Sequence, residues 1–294
     1  MLFRRYADRL VVRTPAKLNL FLEILGRRDD GYHELATLMV AVNLYDTLEF
    51  AEEPTGAVRL LCDDDKLTTG PENLVCRAAE LVRQQAGHTD GVAIRLRKQI
   101  PLAAGLAGGS SDAAATLAGL NRWWNLGWDR DRLVELGAEL GSDVPFFFAT
   151  PAAWCTGRGE RVELLRLGRE LDFVLVCPPV GLSTAEVFRN LTVPADPQSG
   201  KEVREAAEAG DVEELGRRLY NRLQPVAERL CPAVASACER LARLGPAGQL
   251  MSGSGSSVFA LCRHAGEALR MARTLGRARE ARDGERVFIV RSCF

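Results

Sequence analysis

The sequence is poor in lysine and histidine. Only four of its 38 basic residues are lysines, at positions 17, 66, 98 and 201, and there are three histidines. So few histidines argue against a multi-histidine metal centre. Because arginine serves almost everywhere else, a remaining lysine can mark a position that needs a compact ammonium group. Lys17 and Lys98 gain weight in this respect because each lies in or beside a motif.

Other absences argue against whole classes of protein. The formal net charge of −1 provides no basic surplus for binding nucleic acid. The most apolar stretch, 144–155, is too short to span a membrane and contains two prolines. Eight cysteines form no Cys-x-x-Cys pair, so we expect reduced thiols instead of disulfides or zinc ligands. The first motif arrives by Thr14, which leaves no room for a signal or transit peptide, so we expect a cytoplasmic protein.

The remaining composition is that of a folded, soluble chain. Hydrophobic residues make up 47% and charged residues 26% of the 294 positions, enough for one large domain or two ordinary ones. Strand and helix patterns occur without the regular alternation of a doubly wound sheet, which favours the α+β class. We predict two α+β lobes with a cleft between them, and domains at 1–160 and 161–294.

The predicted elements follow from hydrophobic periodicity and from capping residues. Strands are predicted at 10–13, 19–25, 44–50, 58–62, 92–96, 173–177, 248–251, 258–262 and 287–290. Helices are predicted at 73–86, 111–124 and 232–244, and between the N-cap Asp129 and the stop Gly141. Ser183 and Asp211 begin capping-box spacings, which predict two further helix starts.

A glycine-rich run between strand 92–96 and the next helix is the strongest candidate for a ligand site. Its members are Pro101, Leu102, Ala103, Ala104, Gly105, Leu106, Ala107, Gly108, Gly109, Ser110 and Ser111. Glycines let the backbone approach a ligand, and a helix start offers unpaired N–H groups, so the run suits a phosphate. The paired serines favour phosphate over an ordinary turn. The spacing matches neither the Walker A motif nor the dinucleotide fingerprint.

Two other stretches place polar groups in unusual surroundings. Lys17 and Asn19 share one face of an otherwise apolar strand, which differs from a solvated edge. Tyr32 and His33 lie in a turn, where they could stack on a planar base and hydrogen-bond its edge, or simply pack at the surface.

The last two stretches decide nothing alone. Asp143 follows a helix stop and precedes an apolar run. In that position a carboxylate either caps the helix end or is a functional group at the edge of the core. A second glycine loop, 252–257, also resembles a turn, and it has no Gly-x-Ser-x-Gly elbow of a hydrolase because residue 252 is serine.

Together these stretches have the order and spacing of the GHMP kinases. Within that superfamily the chain resembles the 4-diphosphocytidyl-2-C-methyl-D-erythritol kinases, over about residues 11 to 262. The resemblance is carried by Pro-Ala-Lys-Leu-Asn-Leu-Phe-Leu at 15–22, Gly-Tyr-His-Glu-Leu at 31–35, Leu-Gly-Ser-Asp-Val-Pro at 140–145 and the two glycine loops. It implies a two-lobed fold, with a mixed sheet-and-helix N-terminal domain, a ferredoxin-like C-terminal domain and an active site in the cleft.

The resemblance also implies an activity and its residues. ATP, brought with Mg²⁺, would phosphorylate the 2-hydroxyl of the cytidylyl-methylerythritol in non-mevalonate isoprenoid synthesis. Lys17 and Asp143 would be the catalytic pair, the run 101–111 the ATP phosphate loop, and Lys98 a neighbour of the nucleotide. The substrate pocket would comprise Asn19, Tyr32, His33, Thr184 and Phe188, with cytosine between Tyr32 and Phe188. No protein-bound metal is implied, and we expect a monomer or weak homodimer.

One departure from the family concerns the phosphate loop, where the relatives are richer in glycine. Ala103, Ala104 and Ala107 interrupt the run here, and each methyl group could crowd a phosphate or face away.

Physical chemistry supports this assignment, and two alternatives remain. Phosphoryl transfer needs positioning and charge neutralisation, so Asp143 would accept the hydroxyl proton and Lys17 would steady the developing charge. The first alternative is a GHMP kinase that acts on mevalonate or homoserine, but such an enzyme has no need of a cytosine slot at Tyr32 and His33. The second alternative is a non-catalytic relative that binds nucleotide, but such a protein has no need of a base at residue 143.

Overall fold

A computed structural model describes residues 1–277 and 284–293 of the chain. The chain divides into two compact units that interleave along the sequence. Unit 1 contains Met1–Ala16, Leu44–Ile100 and Ala107–Phe148, and unit 2 contains Lys17–Asn43, Pro101–Leu106 and Ala149–Phe294. Strands and helices mix in both, which confirms the predicted α+β class. The predicted domain boundary near residue 160 is a separate matter and stays a prediction.

Unit 1 is built on a sheet with the strand order β1-β2-β3-β5-β4. Its strands are β1 (Leu2–Arg5), the first part of β2 (Arg9–Arg27), the last part of β3 (His33–Glu53), β4 (Val58–Cys62) and β5 (Gly91–Arg97). Strand β5 pairs antiparallel with β3 and parallel with β4. Alternation along β3 buries Leu48 and Phe50, and it also buries the carboxylate of Asp46.

Three helices complete unit 1: α1 (Leu74–Ala86), α2 (Gly108–Trp123) and α3 (Arg130–Leu140). Helix α2 is buried without interruption from residue 111 to 120, and its small residues permit this. A Cβ on Gly119 would lie 2.7 Å from the ring of Phe50. Asp129 caps α3 as predicted, by accepting the N–H of Arg132.

The described residues of unit 2 form a second, four-stranded antiparallel sheet and six helices. Its further strands are β6 (Ala152–Gly157), β7 (Arg161–Leu164), β8 (Asp172–Cys177), β9 (Tyr220–Asn221), β10 (Gly248–Met251), β11 (Val258–Cys262) and β12 (Arg286–Arg291). Its helices are α4 (Thr184–Arg189), α5 (Lys201–Ala209), α6 (Val212–Arg218), α7 (Gln224–Leu230), α8 (Pro232–Ala242) and α9 (Ala265–Arg277). The sheet order is β10-β11-β8-β12, while β6 pairs with β3 and β7, and β9 pairs with β2.

The predicted elements match only part of the structure, because no prediction was made for β1, β6, β7, β9, α5, α7 or α9. The strands predicted at 58–62, 248–251 and 258–262 are confirmed with identical bounds. Strand β6 was missed because Ala152 and Ala153 are small and both buried, so no period-two alternation shows. Helix α2 starts at Gly108, three residues before the prediction. Among the described helices none combines the length and the apolar character needed to cross a bilayer.

Candidate active site

Lys17 and Asn19 lie on β2 in unit 2, in a chain of hydrogen bonds. The buried ammonium of Lys17 donates to Oδ1 of Asn19, whose Nδ2 donates to Oγ1 of Thr37 at 2.8 Å. Thr37 in turn donates to the carbonyl of Phe21 at 2.6 Å. The backbone acceptor fixes the direction of the whole chain, so the amide oxygen of Asn19 faces Lys17.

The Gly-Ser loop 252–257 packs against these residues in unit 2. Ser252 Oγ accepts the N–H of Asn19 at 3.3 Å and donates to the carbonyl of Gly105 at 3.0 Å. A Cβ on Gly253 would lie 3.1 Å from Nζ of Lys17. The loop, which suggested only a turn in the sequence, therefore links Lys17 and Asn19 to the glycine-rich run.

Gly105 shows how tightly the run meets this loop. Its φ is +74°, and a Cβ there would lie 2.0 Å from the carbonyl oxygen of Ser252. The N–H of Ser257 donates to the carbonyl of Ala104 at 3.2 Å. Glycine is therefore required at 105 for both its backbone conformation and its lack of a side chain.

Neutral side chains hold the Gly-Ser loop from its other sides. Nδ2 of Asn221 donates to the carbonyls of Met251 and Gly253, at 2.8 Å each. The hydroxyls of Thr184 and Ser254 lie 2.8 Å apart. This brings Thr184, predicted to bind substrate, next to the loop. Asn221 was missed because a polar residue between two predicted elements carries no distinctive signal.

The start of α2 supplies the other part of the run, in unit 1. Ala107 has φ +53° and caps the helix without a side-chain hydrogen bond. The first N–H groups of a helix have no acceptor within it, and the bonding begins where the N–H of Ser111 donates to the carbonyl of Ala107. Ser110 is half-buried. Amides at a helix start suit an anion, and phosphate binding here stays a prediction.

Ser111 differs from Ser110 in its surroundings. Its side chain is fully buried, and its hydroxyl donates to the carbonyl of Pro15 at 2.6 Å. Thr14 Oγ1 lies 2.6 Å from the same oxygen. The hydroxyl of Ser111 thus joins α2 to β2, and its contact with a phosphate stays a prediction.

Lys98 forms a buried charged cluster with Asp46 and Asp112 in unit 1. Its ammonium pairs with both carboxylates, and the three side chains are at most 3% exposed. Burial raises the pKa of Asp112 to about 7, against the opposing effect of Lys98. Burial would lower the pKa of Lys98, but the two carboxylates outweigh it and raise that pKa. The sequence analysis missed both carboxylates, and a direct contact of Lys98 with the nucleotide stays a prediction.

Asp143 lies in unit 1, in the turn that follows α3. Its side chain is half-buried, and the backbone turns there because the N–H of Val144 donates to the carbonyl of Gly141. Asp143 and Lys17 therefore belong to different units. Their joint catalytic role stays a prediction.

The turn between β2 and β3 is braced by charged side chains. The carboxylate of Asp30 accepts the N–H of Tyr32 at 3.1 Å, and Gly31 adopts φ +85°. Arg28 pairs with both Asp30, at 3.0 Å, and Glu34, at 2.7 Å. These contacts present Tyr32 at the tip of the hairpin.

Tyr32, His33 and Phe188, the three rings predicted to bind substrate, all lie in unit 2, and the last two pack together. Tyr32 is 53% exposed, and the guanidinium of Arg158 lies 4.9 Å from its ring centroid. The rings of His33 and Phe188 are 5.1 Å apart. Burial, helped by the charge of Arg27, lowers the pKa of His33. A neutral imidazole has one donor and one acceptor, as the edge of a base requires.

Comparisons with known proteins agree with this arrangement. The family model "GHMP kinases N terminal domain" matches residues 73–150, and "GHMP kinases C terminal" matches residues 203–281. A 4-diphosphocytidyl-2-C-methyl-D-erythritol kinase of Pelotomaculum thermopropionicum is 43% identical over 94% of this chain and 96% of its own length. One of Bacillus cytotoxicus is 42% identical over 87% of this chain and 89% of its own.

Solved structures give the same result. A crystal structure of 4-(cytidine 5'-diphospho)-2C-methyl-D-erythritol kinase superimposes with a TM-score of 0.80 at 34% identity, over 97% of this chain and all of that one. A homoserine kinase of Cytophaga hutchinsonii, at 19% identity, has a TM-score of 0.76 over 100% of this chain and 97% of its own, and shows the shared fold alone. The chain belongs to the 4-diphosphocytidyl-2-C-methyl-D-erythritol kinase family of the ATP-dependent GHMP kinases.

Proposed function

We propose that this chain transfers the γ-phosphoryl group of ATP to the 2-hydroxyl of 4-diphosphocytidyl-2-C-methyl-D-erythritol, releasing ADP. The observation that supports this substrate best is the exposed ring of Tyr32, next in sequence to His33, whose own ring packs against Phe188. An exposed phenol ring and a neutral imidazole suit a cytosine base, which offers a flat face and an edge with both donors and acceptors. Mevalonate and homoserine offer no such face.

Cytosine would stack on the face of Tyr32 that Arg158 does not cover, with Phe188 on its other side. His33 packs against Phe188, so its imidazole would lie at the edge of the base. Thr184 and Asn19 would meet the sugar-alcohol part, because both are tied to the Gly-Ser loop that borders Lys17. The pocket would thus recognise base and alcohol separately.

The chemical step needs a base and a set of groups that neutralise charge. Asp143 would accept the proton of the attacking hydroxyl, and Lys17 would stabilise that carboxylate and the developing charge. The free N–H groups at the start of α2 would bind the phosphates of ATP. Mg²⁺ would enter with ATP as part of the substrate. Little covalent help is needed, since phosphoryl transfer depends mainly on positioning and electrostatics.

The setting of the protein is part of the proposal. We place it in the cytoplasm, where ATP is abundant, as a monomer or weak homodimer that contributes to isoprenoid precursor synthesis. Light scattering at micromolar concentration would measure its mass.

An ADP-release assay with Mg·ATP and a panel of alcohols tests the function. The panel should contain the cytidylyl-methylerythritol, its uridylyl analogue, mevalonate and homoserine. We expect turnover on the first, weaker turnover on the uracil analogue, which lacks the exocyclic amine, and none on the last two. Phosphorus NMR of the product should show a phosphate monoester at the 2-position. Turnover on mevalonate but not on the cytidylyl alcohol would reverse the assignment.

A further inference from the structure

Three charged side chains are buried together in unit 1, and two of them have no role in the proposed reaction. Nζ of Lys98 pairs with Asp46 and lies 2.7 Å from Oδ2 of Asp112. A buried ion pair is weak support for stability, because desolvating the charges offsets much of their attraction. Stability alone therefore does not account for this cluster.

Asp46 fixes the backbone that leads into the glycine-rich run. Its Oδ1 accepts the N–H groups of Gln99, at 2.6 Å, and Ile100, at 2.9 Å. Its Oδ2 accepts from Lys98. Both oxygens of this carboxylate therefore face donors, and the segment just before Pro101 is held by one buried group.

Lys98 and Asp112 fix the backbone that leaves the run. Asp112 is the fifth residue of α2, and its Oδ2 accepts from Lys98. Gly108 lies so close that a Cβ there would be 3.2 Å from Nζ of Lys98 and 3.0 Å from Cγ2 of Ile100. The backbone just before Pro101 and the start of α2 therefore come together at Gly108, beside the buried charges.

We propose that Asp46 and Asp112 are positioning residues for ATP, which act through Lys98 to hold both ends of segment 101–107, the part of the glycine-rich run that precedes α2. The first N–H groups of α2 then keep a fixed place for the phosphates. The proposal rests on the proposed function in taking this run as the phosphate loop. Donors that are already in place need no rearrangement when the anion arrives, so losing the support weakens ATP binding more than acceptor binding.

The two carboxylates differ in a way that provides matched variants. Asp46→Asn replaces one accepting oxygen by an NH₂ group. That group would face a donor, either the ammonium of Lys98 or the backbone N–H groups of residues 99 and 100. Oδ1 of Asp112 is buried and forms no hydrogen bond with a described residue. Asp112→Asn can therefore keep the bond to Lys98 while removing one negative charge. Both changes preserve the shape of the side chain.

Titration calorimetry with Mg·ATP tests the proposal without an acceptor. We expect Asp46→Asn to weaken ATP binding about ten- to hundredfold, because small displacements of positioned groups cost that much, and Asp112→Asn, which keeps the bond to Lys98, to weaken it less, by about three- to tenfold. Glu285→Gln, which disturbs the buried pair with Arg240 in unit 2, is the control and should leave ATP binding unchanged. In the turnover assay, the KM for the cytidylyl substrate should stay within about twofold of wild type. ATP affinity unchanged in Asp46→Asn, or an equal loss for both substrates, would overturn the proposal.

A second variant covers the case in which Asp46→Asn does not fold. The triple variant Asp46→Asn/Lys98→Met/Asp112→Asn removes all the charges together, which costs far less than removing one partner of a buried pair. Weak ATP binding by the folded triple variant supports the proposal, and wild-type binding overturns it. A wild-type protein that binds ATP but does not phosphorylate the cytidylyl alcohol contradicts the proposed function alone, because the calorimetric comparison still holds.

Discussion

The two units support their glycine-containing loops with different chemistry. In unit 1 the start of α2 lies against three buried charges, those of Lys98, Asp46 and Asp112. In unit 2 the Gly-Ser loop is held by neutral groups, among them the hydroxyl of Ser252 and the amide of Asn221. Charged groups respond to pH and to the loss of a partner, whereas neutral hydrogen bonds depend on close fit. We therefore expect the first loop to be sensitive to charge and the second to shape.

Asp143 in unit 1 and Lys17 in unit 2 are the side chains proposed to react, and we expect their replacement to have the largest effect. Asp143→Asn keeps the shape but removes the proton acceptor, so kcat should fall about 10²–10⁴-fold with both KM values nearly preserved. Adding Lys17→Met should cost little more if Lys17 acts through Asp143, because residues that act as a unit are not additive. Steady-state kinetics of both single variants and the double variant measure this.

Two outcomes would change these assignments. Near wild-type turnover in Asp143→Asn would leave that residue as a feature of the turn after α3, with catalysis by positioning alone. Losses that multiply in the double variant would assign Lys17 to the transferring phosphoryl group instead.

Sensitivity to shape in unit 2 is tested most directly at Gly105. Gly105→Ala would force a methyl group to within 2.0 Å of a backbone oxygen, at φ +74°. We expect kcat/KM to fall about a hundredfold, because misplacement of a supporting backbone by about 1 Å has that effect.

Gly127 in unit 1 provides the matched control. Its φ of +71° is nearly the same, but a Cβ there meets nothing within 4 Å. Gly127→Ala should therefore lower stability by about 1–2 kcal/mol through strain alone and leave kcat/KM within about twofold. Equal losses of activity in the two variants would show that backbone strain, and not the contact with Ser252, decides the result.

Aromatic rings covered by arginine occur in both units and allow a similar comparison. Tyr32 lies under Arg158 in unit 2, and Tyr6 lies under Arg4 and Arg9 in unit 1. Stacking of a base on an aromatic ring is worth about 1–3 kcal/mol, so Tyr32→Ala should raise the KM for the cytidylyl substrate about tenfold or more and leave that for ATP unchanged. Tyr6→Ala should change neither KM. A rise in both KM values for Tyr32→Ala would make that residue structural.

The sequence predicted features that act on nearby backbone better than pairs of residues far apart in the chain. Asp129 and Gly141 bound α3 as expected, because a cap and a stop act on their own backbone. The strand pattern predicted that Lys17 and Asn19 share one face, and the structure shows them hydrogen-bonded. Their chemical roles stay predictions.

Partners far apart in the chain could not be predicted in this way. Asp46 and Lys98 are 52 residues apart, and their pairing depends on the register between β3 and β5. One signal was available, since Asp46 interrupts the apolar face that Leu44, Leu48 and Phe50 form on β3. A carboxylate at a core position implies a buried partner, but the sequence does not say which one.

The pH dependence of stability tests whether charge distinguishes unit 1. Burial raises the pKa of Asp112 to about 7 in the folded protein, above the ordinary value of 3.8. The folded state then binds more protons than the unfolded state between these values, so this residue's contribution to stability is present at about pH 4 and is lost as the pH rises through 7. Asp112→Asn removes that loss, so its free energy of unfolding relative to wild type should increase by up to about 1.4 kcal/mol per pH unit in this range.

Urea unfolding of both proteins at pH 5, 6 and 7 measures this difference. Titrating groups outside the cluster of Lys98, Asp46 and Asp112 are common to the two proteins, and subtraction cancels them, so the difference reports on the cluster as a whole. Ser252→Ala in unit 2 is the control, since the difference from wild type should not depend on pH. If the difference in unfolding free energy between Asp112→Asn and wild type is the same at all three pH values, Asp112 is charged from pH 5 to 7.

The smallest expected effect concerns two of the three alanines in the glycine-rich run, Ala107 in unit 1 and Ala103 in unit 2. Ala107 and Ala103 both have left-handed backbones, with φ +53° and +48°. At a position with an ordinary backbone, replacing alanine by glycine lowers stability by about 0.4–1 kcal/mol, because it loosens the unfolded chain. The left-handed conformation reverses this expectation, since it costs alanine about 1–2 kcal/mol and glycine almost nothing. Ala107→Gly and Ala103→Gly should each raise the free energy of unfolding by up to about 1 kcal/mol, measured in urea. Tighter Mg·ATP binding in Ala107→Gly alone would show that its methyl group limits the approach of phosphate to the start of α2, and a loss of stability in both variants would contradict the argument from strain.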